Sequence, residues 1–152
     1  MGNALRNRIQ QDTFINPVQE AMLNLLVAAD DIRSRMEAVC SEHDLTSGQF
    51  NVLRILKGVY PEGHARHEIA RRMIERSPDI TRLVDRLERR GLVERDRRES
   101  DRRLSITKIT PTGLELVKKM NPLVEKVFSD LRQRISASDC EELSRICEGL
   151  YT

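Results

Sequence analysis

Aromatic side chains are nearly missing from this chain: its 152 residues hold no Trp, two Tyr and three Phe. Proteins that grip single-stranded nucleic acid stack its bases on aromatic platforms, so that mode is excluded. Cysteine is scarce too, and Cys40, Cys140 and Cys147 have neither disulfide-framework nor zinc-site spacing. No apolar run is long enough to span a bilayer, and no signal or transit segment is visible, so the expected compartment is a reducing cytoplasm with no membrane partner. A phosphate-binding glycine loop, a nucleophile elbow and a metalloprotease helix are all lacking. The chain is therefore expected to be no enzyme and to carry no cofactor. His64 and His67 with Glu68 hint at metal, but zinc needs three or four converging ligands and the one other histidine is His43. No metal site is expected.

What is present is charge, unevenly placed. The net charge of +2 hides a centre, residues 64–110, with 14 Lys and Arg against 9 Asp and Glu, and a remainder with 12 against 15. Thirteen of the 14 central cations are Arg, the side chain whose planar fork suits phosphate and guanine. A basic centre in an acidic frame points to a polyanionic partner.

Within that centre, residues 77–103 read SPDITRLVDRLERRGLVERDRRESDRR. Ser77 can cap a helix, Pro78 suits its first position, and Asp79 favours the positive end of its dipole. Ile80, Leu83, Val84 and Leu87 recur at helical spacing as a buried stripe. Thr81, Arg82, Asp85, Arg86, Arg89 and Arg90 occupy the other face, and Gly91 stands where a left-handed stop is expected. Leu92–Arg95 and Leu104–Thr107 are short strand candidates around the polar tip DRRESDRR. A capped helix followed at once by an arginine-rich hairpin is the order of a winged helix, with the helix in a major groove and the hairpin in the flanking minor groove. The other reading of these residues is a solvated helix and a charged turn.

Taken in order, residues 1–14 are polar and aperiodic and read as a loose arm. Pro17 opens a stretch, Val18 to Cys40, with apolar residues at steps of three and four, an amphipathic helix of about six turns. Thr46 and Gln49 have capping-box form ahead of Phe50, Leu53, Ile55 and Leu56, with Gly58 closing that helix. A turn at Tyr60–Gly63 leads to a short helix, roughly 65–74, expected to bury Ile69, Ala70, Met73 and Ile74; paired with the next helix it makes a helix-turn-helix. After the wing, Thr110 and Pro111 start a helix carrying Leu114, Val117, Met120, Leu123, Val124, Val127, Phe128 and Leu131, with a kink or break expected at Pro122. Ser138 and Glu141 suggest a second capping box before Leu143, Ile146, Cys147, Leu150 and Tyr151.

The stretch from about Leu45 to Gly113 resembles the MarR family of bacterial transcriptional regulators, through LTSGQFNVLRIL, ITRLVDRLERRGLVER, a wing ending Asp101-Arg102-Arg103, and ITPTG. The resemblance implies a homodimeric winged helix-turn-helix protein that binds pseudo-palindromic double-stranded DNA, acts as a repressor and answers to a small-molecule effector. The expected fold is mainly α with a small β-hairpin: one domain over 1–152, a DNA-binding lobe at 45–110, and dimerisation helices at 15–41 and 111–152. By the same resemblance, Thr81, Arg82, Arg102 and Arg103 are expected at DNA, and Ser77, Pro78, Asp79, Arg86 and Arg98, on the same helix and wing, are expected there with them. Arg103 is the groove-entering wing arginine, and Asp85 and Asp101 support the wing. The segment before the recognition helix departs from the family by lacking its glycine-containing turn.

Two alternatives stand beside this. A dimeric protein-interaction module could keep the same fold, though it has no use for an arginine-rich wing. A thiol-based redox sensor could work through Cys40, but the sensing thiol of such relatives lies nearer the N-terminus, so a buried, inert Cys40 is expected. Cys140 and Cys147, seven apart on a helix face, read as packing.

Overall fold

The structure, a computed structural model, describes residues 3–76, 79–96 and 105–152. Seven helices and three strands appear among them: α1 (Ala4–Ile9), α2 (Pro17–Ser41), α3 (Ser47–Lys57), β1 (His64–Ala65), α4 (Arg66–Arg72), α5 (Ile80–Arg89), β2 (Val93–Asp96), β3 (Ile106–Ile109), α6 (Pro111–Arg132) and α7 (Ala137–Tyr151). The strands form one antiparallel sheet in the order β1-β3-β2, with Val93 opposite Ile109 and His64 opposite Thr107.

The helix starts follow cap chemistry. Asn16 accepts the Gln19 N–H at 2.9 Å, just ahead of Pro17 in the first position of α2. The Thr46–Gln49 capping box forms in both directions, at 2.9 and 3.2 Å. Thr110 accepts the Gly113 N–H at 3.1 Å and donates its own hydroxyl to the Gly91 carbonyl at 2.7 Å. One side chain thus starts α6 and ties it to the end of α5.

The end of α5 is a Schellman motif. Gly91 has φ +67°, its N–H reaches the Glu88 carbonyl at 2.9 Å, and the Leu92 N–H reaches the Leu87 carbonyl at 3.0 Å. Because Leu92 completes that motif, β2 begins one residue later than the hydropathy pattern places it. Gly113 is needed for close approach, since a Cβ there would stand 2.2 Å from the Leu92 carbonyl oxygen.

A single core lies under the helix-turn-helix. Phe50, Val52, Leu53 and Leu56 of α3, Ile69 of α4, Ile80, Val84 and Leu87 of α5, Val93 and Ile109 of the sheet, and Val117 and Met120 of α6 meet in it, with Cys40 at the end of α2.

Several expectations need correction. Residues 4–9 form α1, whose one buried side chain is Leu5; a helix docked by a single anchor has no periodicity to read. The wing is not a bare hairpin, because the two-residue strand β1 joins β3, and two residues are too few to alternate. Pro122 does not break α6, which runs unbroken from Pro111 to Arg132. Met120, Val124 and Val127 are buried on both sides of it, and that burial offsets the one backbone hydrogen bond a proline removes. The box that opens α7 is Ser136 with Asp139, at 3.1 and 3.0 Å, two residues before the pair Ser138 and Glu141. Ala70 and Ile74 are exposed, not buried. α4 ends at Arg72 and Met73 is extended, so the helical phase that would carry Ile74 inward is lost.

The terminal helices are covered differently. α7 has no buried residue: Leu143 is 50 % and Leu150 51 % exposed, and in the first turn of α2 Val18 is 66 % exposed.

Candidate nucleic-acid interface

The buried stripe of α5 fixes which side chains face outward. With Ile80, Val84 and Leu87 in the core, Thr81, Arg82, Arg86 and Arg89 are exposed on the opposite side. The helix is capped by Asp79, not by Ser77, and begins at Ile80; Ser77 and Pro78 themselves lie outside the described residues. Asp79 does two things. One carboxylate oxygen accepts the Arg82 N–H at 2.9 Å, and the other pairs with Arg82 Nε, also at 2.9 Å. Arg82 is therefore steered toward the N-terminal turn while its side chain stays 80 % exposed. Thr81 is held from another element, its Oγ1 accepting from Arg66 Nη1 of α4 at 3.1 Å.

The acids of α5 turn toward the wing. Asp85 and Glu88 both grip Arg95 of β2, the Glu88 contact at 3.2 Å. Arg95 is mostly covered, its side chain 23 % exposed. Across the sheet Asp96 faces Lys108 at 3.8 Å. Asp85 thus holds the root of the wing, through an arginine in β2. The expected wing residues Arg98, Asp101, Arg102 and Arg103 lie outside the described residues.

At the far end of α5, Arg90 donates to the backbone carbonyls of Asp44 and of His43, clamping the turn between α2 and α3. Beside this clamp a cleft of about 560 Å³ opens between Glu37 of α2, Thr46 and Gln49 at the start of α3, and Arg86, Arg89 and Arg90 of α5. Arg66, Arg90 and Arg95 carry roles that local sequence does not signal, because their partners lie in other elements.

Cys40 is fully buried, and burial first, then the charge of Glu37, pushes its thiol up to about 11. Oxidation sensing requires an accessible thiolate, and burial and this shift oppose both conditions. Burial likewise lowers His64, aided by Arg72 and opposed by Glu68. Among the described residues no three His, Cys, Asp or Glu side chains converge as a metal site.

The MarR family model matches residues 45–105, the span from the start of α3 into the wing. A MarR transcription factor from Planctomyces limnophilus, known from its crystal structure, is 38 % identical; the match covers 90 % of this chain and 98 % of that one, with a TM-score of 0.70. The chain belongs to the MarR family. It is a transcription regulator by that membership, with the winged helix-turn-helix fold. A curated relative, the homoprotocatechuate degradative operon repressor of Escherichia coli, is 26 % identical over 124 residues, 82 % of each chain. The S. aureus MepR–DNA complex shares the fold, with TM-score 0.73 at 19 % identity, covering 83 % of this chain and 92 % of that one. In this MarR-family chain, no helix among the described residues is long and apolar enough to cross a membrane.

Proposed function

We propose that this regulator is a cytoplasmic homodimeric repressor that grips pseudo-palindromic double-stranded DNA through the lobe at 45–110. One observation carries the reading. The exposed face of a capped α5 presents Thr81, Arg82, Arg86 and Arg89, while the acids on its flank, Asp85 and Glu88, are turned to Arg95 at the root of the wing. Such a face meets phosphates and base edges in a major groove, and the wing residues Arg98, Arg102 and Arg103, with Asp101, reach the adjoining minor groove. Asp79 works by setting Arg82, and Ser77 and Pro78 bring the start of the helix to the DNA backbone. The helices at 15–41 and 111–152 form the dimer, and the apolar surface left open on α7 and the first turn of α2 supports that assignment. Two recognition helices then sit about 34–36 Å apart, one duplex turn. The repressor named among its relatives supports the direction of control.

A mobility shift on the DNA upstream of its own gene, followed by a footprint, tests the reading. Two protected half-sites with two-fold character are the expected result. A protein-interaction module on the same fold would leave the DNA unshifted.

Release by a small ligand belongs to the same proposal. The cleft beside Arg86, Arg89 and Arg90 touches α2, α3 and α5 together, so an anion seated there would act on a dimer helix and on the recognition helix at once. A panel of small carboxylates that raises the melting temperature of the parent but not of Arg89→Ala is the expected outcome; equal shifts in both would place the ligand elsewhere.

A further inference from the structure

Arg66 stands apart from the other arginines of α4. Glu68 takes both of those: Arg71 Nη2 at 3.1 Å, and Arg72, whose Nη1 also reaches the Glu68 carbonyl at 3.1 Å. His67 Nε2 lies beside the same carboxylate, at 3.5 Å. Arg66 has no acidic partner among the described residues. Among the described residues its side chain makes one hydrogen bond, across the helix-turn-helix to Thr81 Oγ1, and both side chains are at the surface.

The chemistry of that bond is directional. A threonine hydroxyl has one proton to donate and two lone pairs to accept with. With a guanidinium donor on one lone pair, the hydroxyl proton is left for an acceptor. Arg66 keeps four further N–H donors and an unneutralised positive charge. Together they extend the exposed cationic face of α5 onto α4, with Arg82 next to Thr81 in the first turn of α5.

We propose that Arg66 is a DNA-backbone contact that the sequence pattern does not reveal, and that it positions the Thr81 hydroxyl to donate to the same DNA. The proposal rests on the DNA-binding reading above. A phosphate contact of this kind fixes register and orientation and carries no sequence information of its own. Arg66 therefore sets how α5 lies in the groove, and Arg82 and Arg86 do the reading.

The test uses duplexes recovered by the parent protein from a random pool, with a scrambled duplex as reference, and binding measured across a salt series. Arg66→Ala should weaken binding to both duplexes alike, by about tenfold at moderate salt. The slope of log K against log salt should become shallower by about 0.9 for each phosphate that is no longer neutralised. Arg66→Lys should keep the slope, because the charge remains. Thr81→Val should lower affinity about threefold in the parent and almost nothing in Arg66→Ala, because the pair acts as a unit. Thermal melting of each variant, with Arg66→Gln as a second removal of the charge, separates a fold defect from a binding defect. Unchanged affinity and slope in Arg66→Ala and Arg66→Gln, on duplexes the parent holds tightly, would overturn the proposal and leave the DNA-binding reading intact. Recovery of no duplex at all by the parent would overturn that reading first, and this proposal with it.

Discussion

α5 and α7 are both amphipathic helices with one face uncovered, but the uncovered faces are of opposite kind. α5 buries Ile80, Val84 and Leu87 within its own chain and shows Thr81, Arg82, Arg86 and Arg89 to solvent. α7 buries nothing, and Leu143, Ile146, Leu150 and Tyr151 are exposed. Water solvates the first face well and the second poorly. The first can wait for a polyanion; the second calls for another apolar surface, which in the proposed dimer is a second copy of this chain. The lobe's core is closed by Cys40 of α2 and by Val117 and Met120 of α6, whereas α7 contributes no buried residue to it.

The sharpest way to break this comparison is to charge the face of α7. Leu143→Glu with Leu150→Glu should convert a dimer at micromolar concentration to a monomer with its lobe still folded. DNA affinity should fall by about two orders of magnitude or more, as two linked half-site contacts become one. Sedimentation and a mobility shift read the two effects. A double variant that remains dimeric would move the interface away from α7 and dissolve the contrast. Next in size is a change inside the lobe. Leu87→Ala, at a position with no exposure, should cost about 2–5 kcal/mol of stability by denaturant melting. Its oligomeric state should hold at temperatures where it is folded. Charging α7 thus acts on association, and emptying the core acts on folding.

A third, smaller effect concerns the wing root. Arg95→Ala removes the shared partner of Asp85 and Glu88, contacts made partly out of water, and should lower stability by about 1–2 kcal/mol. It should also speed hydrogen exchange of the β2 and β3 amides relative to those of α3. Uniform exchange across the lobe would mean that Arg95 does not hold the wing.

Where cap chemistry and periodicity are local, the sequence is readable. The Pro17 start of α2, the Thr46–Gln49 box, the stop at Gly91 and the stripe of α5 each depend on residues within a turn or two of each other, although at α5 and α7 the caps are Asp79 and Ser136 and not the nearby Ser77 and Ser138. Pro122 misleads because its effect depends on what surrounds it: burial of Met120 and Val124 keeps α6 continuous. Leu5 gives no signal because one anchor makes no pattern. The interface is legible only as a set of outward residue types. That Asp85 pairs with Arg95, that Arg90 clamps the Asp44 carbonyl and that Arg66 meets Thr81 are all products of packing between elements. The last two span 46 and 15 residues, and nothing local announces them.

The smallest predicted effect lies at Asp79, where folding and binding pull in opposite directions. Asp79 caps α5, and replacing a cap by Ala costs about 1 kcal/mol. The same carboxylate pairs with Arg82 at the surface, an ion pair worth little to stability by itself. At the proposed DNA face, though, it would be a negative charge beside the phosphates and a competitor for the guanidinium. Asp79→Ala should therefore melt lower yet bind scrambled duplex more tightly, by a few-fold at low salt, with the gain fading as salt screens the charge. Asp79→Asn separates the two roles, since it keeps a capping oxygen and drops the charge. It should restore most of the melting temperature and retain the gain in scrambled-duplex binding. If Asn instead restores both to the parent values, the carboxylate acts only as a cap, and the exposed face of α5 owes nothing to how Asp79 holds Arg82.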